Sequence, residues 1–157
     1  PSGYIDTAFC DTFDSVEPLN PEYLTHTSDV VIRLTAPYTA VLITEQLEGY
    51  VIPSSFVVVR TNKSLLLPEY LVWLINSQSV KRQISESAVS IMLGAVKPRY
   101  FADYEVDQLP LSHQRVLAEL NGLAHRETLL LTELAAEKEK YYDLLINQVF
   151  TDMKRGN

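Results

Sequence analysis

Residues Ala95–Leu120 read AVKPRYFADYEVDQLPLSHQRVLAEL. Lys97 and Arg99 stand beside Tyr100 and Phe101, Leu109-Pro110-Leu111 follows, and from Ser112 the pattern is helical almost to the end of the chain. Proline at such a junction ends what precedes it and suits the first turn of a helix. Ser112 is expected as the N-cap, its hydroxyl accepting an unpaired N–H of the first turn. Breakers are rare downstream; Gly122 interrupts, at about 1 kcal/mol relative to alanine. A helix over 112–153 holds about 40 residues and extends about 60 Å. A small domain cannot cover that length, so much of the helix is expected to protrude or to meet a partner.

The heptad pattern supports a partner. Val116, Leu123, Leu130 and Leu144 fall at one seam position, and Leu120, Leu134 and Tyr141 at the other. Glu127, Glu137 and Gln148 break the seam. A second stripe, including Leu117, Leu131, Tyr142 and Val149, runs beside the first, which implies contact on more than one side. The competing reading is a helix packed on its own domain, and length argues against it.

Working towards the N-terminus, residues 1–110 read as a compact, β-rich domain, so the class is α+β. Val30–Leu34 and Tyr38–Thr44 read as strands split by Thr35-Ala36-Pro37, and Tyr50–Ile52 and Ser55–Arg60 as two more. The near-continuous apolar run Phe56–Val59 suggests a strand buried on both faces. Pro68 opens a helix whose period runs through Leu71, Leu74 and Ile75 to Val80 and Ile84, with a bend or stop at Asn76-Ser77. Ile91–Gly94 looks like a turn into an extended segment, and Asp103–Val106 like a short helix or loop. The expected division is a domain over 1–110, a long helix over 111–153 and a tail over 154–157.

The chain has 157 residues, 46% hydrophobic and 21% charged, with a formal net charge of −7. No basic residue precedes Arg33, whereas Asp6, Asp11, Asp14, Glu17, Glu22 and Asp29 all do. Such a balance argues against indiscriminate polyanion binding, so a nucleic-acid role needs a local basic patch. One cysteine, Cys10, excludes an internal disulfide. No run is apolar enough for a membrane span, and Pro-Ser-Gly-Tyr at the start does not read as a signal peptide. A cytoplasmic protein is expected.

No phosphate loop, nucleophile elbow or metal-ligand pair at helical spacing is present. His26, His113 and His125 are scattered, the latter two expected to face solvent. Cys10, between Phe9, Asp11 and Phe13, has an acidic setting that disfavours thiolate. No catalytic residue, metal site or cofactor is therefore expected. An enzyme built on Asp11 or Asp14 with His26 is the weakest alternative.

The segments SDVVIRL, IPSSFVVVR, LLPEYLVWLINSQSVKRQI, LGAVKPRYF and LPLSHQRVLAELNGL, in this order and followed by a long helix, resemble one half of a type I restriction–modification specificity subunit. Pro68-Glu69-Tyr70-Leu71, Asn76-Ser77, Gly94 and Pro110…Gln114 carry the resemblance, over roughly residues 28–150. It implies a target recognition domain that reads DNA in the major groove, followed by a spacer helix. In that family two such domains are held apart by two antiparallel helices that also dock methyltransferase subunits. With one domain and one helix, this chain is expected to form a homodimer with a second copy, antiparallel, in a coiled coil using Val116, Leu120, Leu123, Leu130, Leu134, Tyr141 and Leu144.

The expected partners are double-stranded DNA, a second copy, and the methyltransferase and restriction subunits, with no membrane. Phosphate and base contacts favour Lys, Arg, Asn and Gln on projecting elements. Lys97 and Arg99 are the leading pair, with Arg60 and Lys63 flanking a turn. Lys81 and Arg82 are expected at the end of the Pro68 helix, capping its negative end. The alternative is an interaction module of the same fold, dimeric but no longer binding DNA, which the acidic first 30 residues favour.

Overall fold

The computed structural model describes residues 10–12, 14–89 and 94–155. The expected turn at 91–93, and the surroundings of Cys10 at Phe9 and Phe13, lie outside these. The chain divides into two compact units, Pro1–Ala118 and Glu119–Asn157.

In the first unit, β1 (Val30–Arg33), β2 (Ala40–Leu42) and β3 (Phe56–Val59) form an antiparallel sheet in the order β2-β1-β3. Val31 faces Val41 on one side and Val58 on the other. The strand buried on both faces is thus β1, because it is central: Val30, Val31 and Ile32 are all buried. The apolar run of β3 is only half-buried, since β3 has a strand neighbour on one side alone. Tyr50–Ile52 is not a strand. Val51 makes one isolated bridge with Leu24, and the buried Thr25 organises the segment, accepting the Tyr50 N–H on its hydroxyl and donating that hydroxyl to the Leu47 carbonyl.

Helix α1 (Pro68–Asn76) starts on its proline and buries Tyr70, Leu71 and Ile75. It stops at Asn76, and α2 (Gln78–Val89) begins afresh, burying Val80, Ile84 and Ala88 at four-residue spacing. Because the helix restarts, Lys81 and Arg82 lie near the start of α2, not at a helix C-terminus. Val30, Ile32 and Leu34 join Leu71, Ile75, Val80 and Ile84 in one core. Asn76 ties helix to sheet as a peptide mimic: its Nδ2 donates to the Ala40 carbonyl at 2.8 Å and its Oδ1 accepts the Ala40 N–H at 3.1 Å. An edge-strand residue is thereby satisfied without another strand.

Gly94, at φ +62°, takes a left-handed conformation that favours glycine, and its carbonyl accepts the Tyr38 hydroxyl at 3.1 Å. A short helix, α3 (Pro98–Ala102), then replaces the expected extended segment. Pro98 sits in its first turn, and Tyr100 and Phe101 pack against the core beside β3. Asp103–Val106 is not helical.

Helix α4 (Leu111–Arg155) has 45 residues, about 68 Å of helix. It begins one residue before Ser112. The Pro110 carbonyl accepts the N–H groups of His113 and Gln114, so Pro110 holds the cap position and Ser112 lies inside the first turn. Gln114 is wholly buried. Its Oε1 accepts the Leu67 N–H at 2.8 Å, and its Nε2 donates to the carbonyls of Leu65 at 2.9 Å and Leu109 at 2.8 Å. Leu67 caps α1, so one side-chain amide joins the starts of α1 and α4. Gln114→Leu leaves the Leu67 N–H and the Leu109 carbonyl without this partner and is expected to cost about 2–4 kcal/mol in urea unfolding. Gln114→Glu is expected to cost more, because an acceptor-only carboxylate then faces two carbonyls; a loss under about 0.5 kcal/mol for both would refute this role.

Candidate nucleic-acid interface and helix face

The antiparallel ladder aligns Val59 with Val30, so the next residues outward, Arg60 and Asp29, are neighbours at one end of β1. Arg60 Nε donates to Asp29 Oδ1 at 3.0 Å and Nη2 to Oδ2 at 3.2 Å, a two-pronged pair on a carboxylate that is only 3% exposed. Nη2 also donates to the Leu24 carbonyl at 3.2 Å and lies 3.1 Å from His26 Nδ1, and Asp29 Oδ2 accepts the His26 N–H at 2.9 Å. Arg60 is therefore largely engaged in holding the Leu24–Asp29 loop to the end of β3. His26 belongs to this same cluster, while Asp11 and Asp14 are exposed. Lys63 is close by, its Nζ donating to Ser28 Oγ at 2.8 Å. A cleft runs between His26, Ser28, Arg60 and Lys63. Thr61, whose buried Oγ1 has no protein partner, lines it too.

Lys97 and Arg99 belong to the other end of β1. The Val96 N–H donates to the Leu34 carbonyl at 2.9 Å, and Ala95 bridges Thr35. Lys97 is exposed and caps α3. Arg99 pairs with Asp103 at 3.1 Å, an exposed contact that holds it weakly. The structure thus brings Arg60 together with Lys63, and Lys97 together with Arg99, but sets the two pairs about 15 Å apart along β1. Arg33 was passed over in the sequence. It ends β1 on the Lys97 side, exposed, with Nε donating to Thr35 Oγ1 at 3.0 Å. Its signal was that it is the polar residue closing an otherwise buried strand.

Two phenols are shifted upward, neither of them in the cleft. Burial, then the Asp107 charge, raises Tyr70 above the usual phenol range. Burial raises Tyr104, with Tyr100, Asp107 and Tyr70 adding. Both remain protonated donors at neutral pH: Tyr70 to the Asp107 carbonyl at 3.4 Å and Tyr104 to Gln83 Oε1 at 3.2 Å. They anchor the segment that leads to Pro110.

On α4, Val116, Leu120, Leu123, Leu130, Leu134, Tyr141 and Leu144 are each between 51% and 72% exposed. A surface Leu is unremarkable alone; these seven recur at heptad spacing along α4, interrupted by Glu127, Glu137 and Gln148. His113 is exposed and His125 partly covered. No helix among the described residues is long and apolar enough to cross a membrane.

No family model and no curated protein sequence matches the chain. Solved structures do. One belongs to work on complex assembly and conformational transition of the type I R-M system; it is 24% identical, with a TM-score of 0.62, over 83% of this chain and 34% of that one. Another, the HsdS subunit from Thermoanaerobacter tengcongensis, is 25% identical, with a TM-score of 0.58, over 78% of this chain and 32% of that one. The chain therefore has the mixed α+β, HsdS-like fold that its segments resemble, and it spans about a third of the length of the solved chains it matches.

The Asp29–Arg60 pair generates a prediction. Asp29→Ala removes the acceptor for three donors and is expected to lower stability by about 2 kcal/mol, discounted for the half-exposed guanidinium. A double-mutant cycle with Arg60→Ala is expected to give a coupling of about 1 kcal/mol. Additive losses would show that Arg60 is not held by Asp29.

Proposed function

We propose that this chain is the DNA-recognition half of a type I specificity subunit, without catalytic activity of its own. Residues 1–110 form the recognition domain, and α4, which runs past the expected end at 153 to Arg155, is the helix that pairs antiparallel with a second copy and docks methyltransferase and restriction subunits. The site of action is the cytoplasm. The observation that carries this reading is the likeness to HsdS chains over about four-fifths of the sequence, joined to a helix with an open apolar stripe.

In this reading the cations divide the labour. Lys97 and Arg99, with Arg33 beside them, contact the DNA at one end of β1. Lys63 contacts it at the other. Arg60 shapes the cleft through Asp29 and contributes by position. Each domain then neutralises a few phosphates, and affinity requires two domains on one duplex.

One observation favours a second reading, a dimeric interaction module of the same fold that has lost DNA binding: Arg60 is neutralised by Asp29 on a chain of net charge −7. Fluorescence anisotropy with a labelled duplex separates the two. The recognition half is expected to bind with an affinity that falls about 10³-fold between roughly 50 and 200 mM salt, for about six phosphate contacts per dimer. Lys97→Ala is expected to lower the salt slope by about 1 per domain. Absence of binding at low salt, with methyltransferase subunits supplied, would establish the interaction module instead.

A further inference from the structure

Resting on the self-pairing proposed above, we infer that α4 encodes one antiparallel register, with the two-fold axis passing between Thr128 and Leu129. The determinants are the charges flanking the apolar seam. Glu119, Arg126, Glu133 and Lys140 recur every seven residues on one side of it, and Glu127 and Glu137 sit within it. In an antiparallel coiled coil, flanking residues of this type meet their own kind across the seam, so their order fixes which registers attract.

In the inferred register Leu123 meets the partner's Leu134, and Val116 meets the partner's Tyr141. Arg126 meets the partner's Glu133, and Glu119 meets the partner's Lys140. Symmetry doubles each pair, giving four complementary contacts. The seam acids meet leucines: Glu127 lies opposite the partner's Leu130, and Glu137 opposite the partner's Leu120. Glu137 is the residue whose carboxylate pairs with Lys140 on its own helix, at 2.6 Å, which draws that charge outward from the seam.

The alternatives are worse in identifiable ways. Sliding one heptad towards the C-terminus stacks Glu127 on the partner's Glu137, Arg126 on the partner's Lys140 and Glu133 on the partner's Glu133. Sliding one heptad the other way opposes Arg126 to the partner's Arg126 and Glu119 to the partner's Glu133. Two heptads towards the C-terminus, Glu133 and the partner's Lys140 still attract, but Leu123 then faces the partner's Gln148. A parallel, in-register pair stacks Glu127 on the partner's Glu127 and Glu137 on the partner's Glu137. Like-charge contacts of this kind select against wrong partners as effectively as attraction selects the right one.

Sedimentation equilibrium of the full chain at low salt tests the register. Arg126→Glu is expected to weaken the dimer about tenfold, since two attractive contacts become repulsive. Adding Glu133→Arg in the same chain is expected to restore the wild-type constant. A dimer that Arg126→Glu leaves unchanged or tightens, as either C-terminal slide requires, or one that the double variant fails to restore, would overturn the register while leaving self-pairing intact. A wild-type chain that stays monomeric would overturn both.

Discussion

The side-chain amide of Gln114 is the interaction on which the rest depends. It is wholly buried, and its three hydrogen bonds reach Leu65, Leu67 and Leu109. The pattern of one acceptor for an N–H and two donors for carbonyls fixes the orientation of the amide without ambiguity. No apolar residue satisfies that set, and an acid satisfies only a third of it. The amide thereby ties the first turn of α4 to the start of α1, and α1 is held to the sheet through Asn76 and Ala40.

Two side-chain amides thus do the framing work, and one ion pair does the shaping. Asn76 caps an edge strand, Gln114 seats the long helix, and Asp29 with Arg60 closes the far end of the sheet. Polar groups in such positions add less to net stability than apolar packing does, but leaving one unpartnered is costly.

Much of this was legible. The long helix after Pro110, the proline start at Pro68, the stop at Asn76-Ser77 and the strands around Ile32 and Val58 all follow from local pattern, because helix and strand periods are local properties. The misreadings share a different cause. Phe56–Val59 looked fully buried because composition cannot tell a central strand from an edge one; only the order β2-β1-β3 does. Five-residue α3 was missed because Tyr100 and Phe101 are as common in strands as in helices and no period can be read over one turn. Ser112 looked like a cap because its chemistry is right, yet the cap falls on Pro110, two positions earlier. On the candidate site, Lys97 and Arg99 could be named from the sequence, but the engagement of Arg60 could not, since Asp29 lies 31 residues away.

In the function proposed, one domain and one helix make half of a two-domain DNA reader, completed by a second copy. Native mass spectrometry of the chain with a short duplex, at low salt, counts the subunits directly. Complexes of two chains on one duplex are expected, with single chains on DNA scarce even when DNA is in excess. Complexes of one chain per duplex, persisting as protein concentration rises, would contradict it.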